Sequence, residues 1–152
     1  MIDKKTEQNH TNKNILVIHG PNLNMLGIRE PGIYGNSTLA DLENYIKEEG
    51  NKLSLSTTFF QSNHEGAIVD AIQEGFSKFD GIIINAGAYT HTSIAILDSL
   101  KAVDIPTIEV HLSDISNREF FRKFSYISFI AKKTIYGMGF LGYKKALEYF
   151  SI

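Results

Sequence analysis

Short, continuous apolar runs rich in β-branched residues recur along this chain, and they alternate with segments whose apolar residues have helical spacing. Such runs are typical of strands that are buried on both faces of a parallel sheet. We expect strands at 15–18, 53–60, 81–86 and 107–112, and one within 126–135. Strands that alternate with helices are joined by right-handed crossovers, which place helices on both faces of the sheet. The pattern therefore predicts a flavodoxin-like α/β fold with a five-stranded parallel sheet in the order 2-1-3-4-5.

Helix ends are predicted from capping residues beside the periodic segments. The candidate caps are Ser37 or Thr38 for the first helix and Asn63 for the second, and the third helix is expected to begin at Thr90 or Thr92. Gly50 is the expected end of the first helix, because glycine commonly follows the last helical turn. A short helix is expected around 117–123 and a last one over 140–150.

The length of 152 residues corresponds to one domain, and a content of 43% hydrophobic and 21% charged residues is ordinary for a soluble protein. We expect residues 1–14, which are polar and mixed in charge, to form a disordered tail, and 15–152 to form a single domain. That tail has no apolar segment of the kind found in secretory signals, so a cytoplasmic location is expected.

Charge and cysteine content exclude several classes of function. A formal net charge of -2 argues against a nucleic-acid partner, which would require a surplus of basic residues. The sequence has no cysteine, so disulfides, cysteine-rich zinc sites and thiol nucleophiles are excluded. No apolar run approaches the length of a membrane span, so no membrane partner is expected.

Unusual polar residues follow the first, third and fourth predicted strands, where sheets of this kind bind their ligands. They are Asn22, Arg29 and Tyr34 after the first strand, Asn85 and His91 after the third, and Glu109, His111, Ser113, Arg118 and Arg122 at and after the fourth. Glu109 and His111 are two residues apart on a strand, so their side chains share one face. A carboxylate beside an imidazole can fix its tautomer and favour its protonated form, as acid–base catalysis requires. The alternative is a pair of satisfied polar groups at a strand end.

The loop over 27–35 has neither helical nor strand periodicity, and loops of this length are often lids. A phenol ordinarily titrates near pH 10, and cationic neighbours such as Arg29 and Arg122 would make Tyr34 a usable base. The alternative is that Tyr34 packs on the surface while Arg29 pairs with Glu30.

Hydrogen-bonding groups for a ligand are expected in the other loops. The Asn85 amide can both donate to and accept from a substrate, and the backbone N–H groups of Leu112 and Ser113 could bind a carboxylate. The alternatives are that Ser113 caps the short segment beyond it and that Asn22 only forms a turn.

Five motifs in these loops resemble those of type II 3-dehydroquinate dehydratases. They are GPNLNMLG at 20–27, REP at 29–31 with YG at 34–35, NAGAYTHTS at 85–93, IEVHLS at 108–113, and RE at 118–119 with FR at 121–122. The likeness extends over residues 15–150 and includes the flavodoxin-like fold. It implies a single catalytic domain that carries out anti elimination of water from 3-dehydroquinate to 3-dehydroshikimate, in the shikimate pathway of aromatic amino-acid biosynthesis.

The resemblance also implies a role for each matching residue. Tyr34 would be the base that removes the proton next to the ketone, and Arg29 would hold it as tyrosinate. His111, oriented by Glu109, would protonate the departing hydroxyl, while Asn22 would hold a water against the enolate oxygen. The substrate would be bound by Asn85, Leu112, Ser113, His91 and Arg122.

Assembly and cofactors follow from the same resemblance. The family forms homododecamers, as tetramers of trimers, in which Asp98 would act in the site of a neighbouring subunit. Residues 99–105 carry no family motif and are candidates for the trimer contact. The elimination uses no redox group, metal or lysine imine, so we expect no cofactor and no metal.

Other classes of protein remain open on the residues alone. Gly137, Gly139 and Gly142 fit the spacing G-x-G-x-x-G, but the acidic partner of a dinucleotide site would lie beyond Ile152, so a tight turn and helix packing are expected instead. A flavin- or phosphate-binding module would need hydroxyl groups in the first loop, which has none at 20–24. A metal hydrolase could use His19, His91, His111, Glu109 and Asp98, although their spacing matches no paired ligand motif.

Overall fold

The computed structural model describes residues 12–28, 32 and 35–152. Five parallel strands form one sheet in the order β2-β1-β3-β4-β5, which confirms the predicted fold and strand order. The strands are β1 (Lys13–His19), β2 (Leu55–Gln61), β3 (Gly81–Asn85), β4 (Thr107–His111) and β5 (Lys133–Tyr136). The strand order changes direction next to β1, so a crevice forms at the carboxyl ends of β1 and β3.

In the part of the chain that the structure describes, four longer α-helices cover the two faces of the sheet. They are α1 (Leu39–Lys52), α2 (Glu65–Glu74), α3 (Ile94–Val103) and α4 (Leu141–Phe150). Alternate residues of each central strand point to opposite faces, so Ile15 and Val17 pack with α1 and α4, whereas Leu16 and Ile18 pack with α2 and α3. Each buried aliphatic side chain of these two cores contributes about 1.5–3 kcal/mol of hydrophobic free energy.

The first helix begins as predicted at Thr38 but continues past Gly50. The Thr38 hydroxyl accepts from Asp41 N at 3.2 Å, and the Asp41 carboxylate accepts from Thr38 N at 2.9 Å, which completes a capping box. Gly50 is buried inside the helix, and a Cβ atom there would lie 3.2 Å from Thr57 Cγ2. The prediction that Gly50 ends the helix was wrong, because this glycine serves close packing of α1 on β2.

The predicted caps of the next two helices were also wrong. Helix α2 begins after His64 without a side-chain cap, and the Asn63 side chain instead bonds to the loop after β1. Helix α3 is capped by Ser93, whose hydroxyl accepts from Ile96 N at 2.9 Å. Thr90 is buried in a 3-10 turn that precedes this cap. A hydroxyl or amide near a helix start caps it only where the chain turns to face the free N–H groups.

Several strand and turn boundaries differ from the predicted ones. Strand β1 begins at Lys13, so Lys13 and Asn14 belong to the sheet and not to the tail; residues 1–11 of that predicted tail lie outside the described residues. The helix expected around 117–123 is replaced by two 3-10 turns, Ile115–Asn117 and Phe120–Arg122. The last strand overlaps only the end of the predicted window and extends one residue beyond it, while Ile127 at the start of that window lies in a 3-10 turn and is buried in the core.

Gly137, Gly139 and Gly142 fit the predicted tight turn and helix packing. Gly137 and Gly139 have φ angles of 76° and 54°, in the left-handed region that glycine adopts at little cost. Gly142 lies inside α4, where a Cβ atom would be 3.4 Å from Val110 Cγ1. Within the described part of the chain, no helix is long and apolar enough to span a membrane.

Candidate active site

A pocket lies beyond the carboxyl ends of β1, β3 and β4, between the loops that the sequence singles out. Seven of the eleven predicted site residues line it, namely Asn22, Asn85, His91, His111, Leu112, Ser113 and Arg122. Arg118 lines it as well, together with apolar residues of the first loop such as Leu23 and Met25. The sequence thus predicted the three contributing loops, because each directly follows a strand of the parallel sheet.

Two of these loops approach each other more closely than side chains would allow. Gly20 N donates to Asn85 O at 2.7 Å, and a Cβ atom at Gly20 would lie 2.3 Å from the carbonyl carbon of Ala86. Glycine is therefore required at position 20 for the loops after β1 and β3 to meet. This contact brings Asn22 and Asn85 to the same pocket.

Glu109 and His111 form the buried polar pair that the strand spacing predicts. His111 Nε2 lies 2.5 Å from Glu109 Oε2, and the Glu109 side chain is fully buried. Because His111 lines the pocket and one ring nitrogen is bonded to the carboxylate, the other ring nitrogen is available for a ligand. A carboxylate that holds one imidazole nitrogen fixes the orientation and tautomer of the ring.

Two further hydroxyl groups hold this pair in place, and sequence analysis missed both. Ser125 Oγ donates to Glu109 Oε2 at 2.7 Å, and Thr134 Oγ1 donates to Glu109 Oε1 at 3.2 Å. These bonds offset the cost of burying a carboxylate. Thr134 is the β5 neighbour of Glu109 in the sheet register, which could have been inferred only with β5 correctly placed.

The loops after β3 and β4 are held by hydrogen bonds within and between segments. Asn85 Oδ1 accepts from Gly87 N at 3.1 Å, which directs the amide nitrogen of Asn85 away from that loop. The carbonyl groups of Leu112 and Ser113 accept from Gly139 N at 3.0 Å and Gly137 N at 3.1 Å. The glycine turn before α4 therefore fixes the backbone of the segment that follows His111.

Ser113 does not cap the segment beyond it, which was the alternative role for this residue. Asp114 does so, because its Oδ1 accepts from Ser116 N at 2.9 Å. For Asn22 the alternative is accurate in part: it adopts the left-handed conformation of a turn residue, with φ 68°, and it also lines the pocket.

His91 and Arg122 line the pocket from the segments that follow β3 and β4. His91 Nδ1 is 2.6 Å from Phe124 O, and because a carbonyl only accepts, this nitrogen carries the proton. Arg122 Nε is 3.1 Å from Glu119 Oε2, and its guanidinium group lies 5.4 Å from the ring centre of Phe121. Both side chains are thereby oriented before any ligand binds.

Three predicted site residues, Arg29, Tyr34 and Asp98, are not part of the described pocket lining. Arg29, Glu30 and Tyr34 fall outside the described residues, so their predicted roles stay predictions. Asp98 is exposed on α3 and is absent from the described lining of the pocket.

His19, which belonged to the metal-hydrolase alternative, is buried at the end of β1 and is not among the residues found to line the pocket. Its Nε2 lies 3.4 Å from Glu43 Oε1, yet burial lowers the pKa of His19 to about 4. Among the residues that the structure describes, no three of His, Cys, Asp and Glu are grouped so that they could hold a metal ion. Glu109 and His111 lie together, but the five residues of that alternative do not gather at one site.

Fold and pocket together define a flavodoxin-like acid–base site, with a buried carboxylate–imidazole pair facing a polar crevice. The family model described as "Dehydroquinase class II" matches residues 13–151, and the chain belongs to this family. This result confirms the resemblance stated from the motifs.

Named relatives and solved structures agree with the family. The chain is 53% identical over 134 residues to a 3-dehydroquinate dehydratase of Nostoc sp., covering 88% of this chain and 91% of the relative. It is 54% identical over 140 residues to the catabolic 3-dehydroquinase 1 of Aspergillus fumigatus, covering 92% and 93%. The crystal structure of type II dehydroquinase from Butyrivibrio crossotus superimposes with a TM-score of 0.90 at 47% identity, covering 93% of this chain and 99% of that one.

Proposed function

We propose that this chain is a 3-dehydroquinate dehydratase that eliminates water from 3-dehydroquinate to give 3-dehydroshikimate through an enolate. The observation that carries the proposal is the Glu109–His111 pair, which is buried on one side and opens into the pocket on the other. Membership of the class II dehydroquinase family supplies the substrate and favours this activity over a flavin- or phosphate-binding module of the same fold.

His111 acts as the acid of the reaction. The departing hydroxyl takes a proton from the ring nitrogen that faces the pocket, and Glu109 stabilises the positive charge of the imidazolium before the transfer. A positioned acid of this kind contributes about 10²–10⁴-fold to the rate. The hydrogen bonds from Ser125 and Thr134 hold the Glu109 carboxylate in place, so the imidazole needs little reorganisation as the proton moves.

Tyr34 acts as the base, and Arg29 keeps it ionised. These two assignments rest on the family motif at 29–35, and they are supported by the cationic character of the pocket, which Arg118 and Arg122 line. Guanidinium groups near a phenol favour its anion, so proton abstraction next to a ketone becomes feasible at neutral pH. Closure of the loop over 27–35 would exclude water from the enolate.

The other pocket residues bind the substrate and stabilise the enolate. Asn85 donates to the substrate carboxylate together with the backbone of Leu112 and Ser113, and His91 and Arg122 contact the ring hydroxyls. Asn22 holds a water against the enolate oxygen. Fixed polar groups of this kind stabilise charge that develops in the transition state without having to rearrange.

The assembly we propose is a homododecamer built as a tetramer of trimers, with Asp98 reaching the site of a neighbouring subunit. An exposed aromatic surface next to the pocket supports association, and it consists of Phe120, Phe121, Phe124 and Phe129. Clustered exposed aromatic side chains are typical of protein–protein contacts. Sedimentation should give about 200 kDa for twelve chains of 17.0 kDa each. The cytoplasmic location stays a prediction of the sequence.

The decisive experiment follows the absorbance of the conjugated enone as 3-dehydroquinate is converted. The wild-type chain should form it, Tyr34→Phe should lose several orders of magnitude in kcat, and Arg29→Ala should lose most turnover. Tyr149→Phe is a matched control, because that phenol lies on α4 away from the pocket. Borohydride added with substrate should leave the enzyme active, since no imine forms. A Tyr34→Phe variant with unchanged turnover would contradict the mechanism.

A further inference from the structure

Asn63 lies in the loop after β2, at residues 62–64, and is not among the described residues that line the pocket. Its side chain nevertheless contacts the first pocket loop. Asn63 Oδ1 accepts from the backbone N–H of Asn22 at 3.0 Å and from Nε2 of Gln61 at 3.2 Å. The backbone carbonyl of Asn63 also accepts from the Tyr89 hydroxyl at 2.8 Å. One residue therefore joins the loops that follow β1, β2 and β3.

Asn22 is a residue whose backbone needs such support. Its φ and ψ of 68° and -3° lie in the left-handed region, which is a minor conformation for any residue with a side chain. The bond from Asn22 N to Asn63 fixes the peptide plane that precedes Asn22. The direction in which the Asn22 amide enters the pocket depends on that plane.

Gln61, which donates to Asn63, also contacts the residues two positions before and after Asn22. Its Nε2 lies 3.3 Å from Gly20 O and 3.5 Å from Asn24 Oδ1. Tyr89 connects Asn63 to the loop after β3. Its hydroxyl donates to Asn63 O, and it directly follows Gly87 and Ala88, which line the pocket. The end of β2 and the loop after it are thus hydrogen-bonded to both the loop after β1 and the loop after β3, each of which lines the pocket.

We propose that Asn63 is a positioning residue, which holds the Asn22 amide in its working orientation and acts on turnover through Asn22. The inference rests on the proposed function, in which Asn22 holds a water against the enolate oxygen. Because that contact strengthens as negative charge develops, its loss lowers kcat more than it raises KM.

The test compares two substitutions of similar size at Asn63. Leucine cannot accept a hydrogen bond, so Asn63→Leu should lower kcat roughly tenfold with KM changed less than about twofold, the effect of one hydrogen bond. Aspartate keeps an acceptor oxygen, so Asn63→Asp should stay within about threefold of wild type. Ser62→Ala is the matched control, because the Ser62 hydroxyl accepts from His64 N at 2.9 Å within the same loop.

A double substitution separates positioning from a general loss of structure. In an Asn22→Ala background, Asn63→Leu should have little further effect on kcat, since the group on which it acts is gone. The proposal is overturned if Asn63→Leu lowers kcat by the same factor in both backgrounds, or if Asn63→Asp is as slow as Asn63→Leu.

A readout without substrate keeps this inference separate from the proposed function. The exchange of the Asn22 amide proton, measured by nuclear magnetic resonance, should be faster in Asn63→Leu than in wild type and Asn63→Asp. Equal exchange in all three proteins would refute the contact itself. A wild-type chain that fails to convert 3-dehydroquinate but shows the expected exchange would instead refute only the activity.

Discussion

His19 and His111 occupy equivalent places in two strands of the sheet, yet they have different surroundings. Each is the last residue of a parallel strand, each is at least 95% buried, and each has a glutamate within ion-pair distance. A search for buried histidines beside carboxylates would select both.

The two differ in what surrounds the carboxylate and in what the ring faces. Glu109 receives hydrogen bonds from Ser125 and Thr134 and binds His111 at 2.5 Å, and that ring reaches the pocket. Glu43 is partly exposed and lies 3.4 Å from His19, while the His19 ring stacks on Phe59 at 6.2 Å between centroids. Both ring nitrogens of His19 are without a hydrogen-bond partner among the described residues.

In the proposed function only His111 acts as an acid, so a nearby carboxylate alone does not give a histidine that role. For His19, desolvation outweighs the glutamate, and its pKa falls to about 4, so the ring is neutral at neutral pH. For His111, a hydrogen-bonded carboxylate lies on one side of the ring and the pocket on the other, as the proposed proton transfer requires. The following predictions test this difference, from the largest effect to the smallest.

Removing each imidazole gives the largest contrast. His111→Ala should lower kcat by about 10²–10⁴-fold because the departing hydroxyl loses its acid. His19→Leu should stay within a few-fold of wild type, since an apolar side chain suits its surroundings. The enone assay measures both, and circular dichroism checks the fold. Equal losses in the two variants would show that the distinction between them is mistaken.

Replacing Glu109 or Glu43, the carboxylates beside the two histidines, should give the same contrast in kcat but with a smaller difference. Glu109→Gln should lower kcat about tenfold to a hundredfold, because it removes a charge-assisted hydrogen bond worth about 1.5–3 kcal/mol. Glu43→Gln is the matched control and should change kcat little. If both variants kept full turnover, Glu109 would be a structural group and His111 would need no orienting partner.

Acid should destabilise the fold through His19. Its folded pKa of about 4 lies below the ordinary value of 6.5, so the unfolded chain binds more protons between these values and stability falls as the pH falls from 6.5 toward 4. Between pH 7 and pH 5 this loss should amount to about 2 kcal/mol of unfolding free energy. Denaturant titrations of wild type and His19→Leu at both pH values measure it.

Two titratable groups next to His19, Glu43 and Tyr143, also bear on how stability changes with pH. Burial raises the pKa of Glu43, which favours the folded state in acid and offsets part of the loss. Tyr143, tilted against His19 at 6.4 Å between centroids, has a pKa raised by burial and stays neutral throughout this range. Glu43→Gln should therefore steepen the acid loss, and a wild type whose stability matches His19→Leu at both pH values would contradict the proposed titration.

Removing the Ser125 or Thr134 hydroxyl, each of which donates to Glu109, should have the smallest effects on kcat. The size of each effect should follow the length of the hydrogen bond and the carboxylate oxygen that accepts it. Ser125→Ala should lower kcat several-fold, because Ser125 binds the same carboxylate oxygen that holds His111. Thr134→Val should have a weaker effect, since its bond is 3.2 Å long and reaches the other oxygen. The kcat values of the two single variants measure this order. Thr134→Val would be the slower variant if Glu109 Oε1 controlled the orientation of the carboxylate.

Local signals in the sequence were enough for much of the fold and for the pocket loops. Continuous apolar runs depend only on which residues adjoin one another, so the five strands and their order were predicted correctly, although β1 begins two residues earlier than expected. The spacing of Glu109 and His111 likewise fixes their shared face. The assignments of Arg29 and Tyr34 come from motifs alone and stay predictions.

Contacts between distant segments were not predictable in the same way. Asn63 was expected to cap a helix but instead binds Asn22, which is 41 positions away, and Ser125 reaches Glu109 across 16 positions. Such contacts depend on strand register and on the packing of loops, which no local pattern specifies.

By itself, the sequence determined a doubly wound sheet, the loops that line the pocket, and the family to which the chain belongs. Only the tertiary structure decided which of two buried histidines faces a pocket and which is enclosed by the core. The physical reason is that hydrophobic periodicity is a property of neighbouring residues, whereas desolvation and hydrogen bonding depend on groups that meet only after the chain has folded.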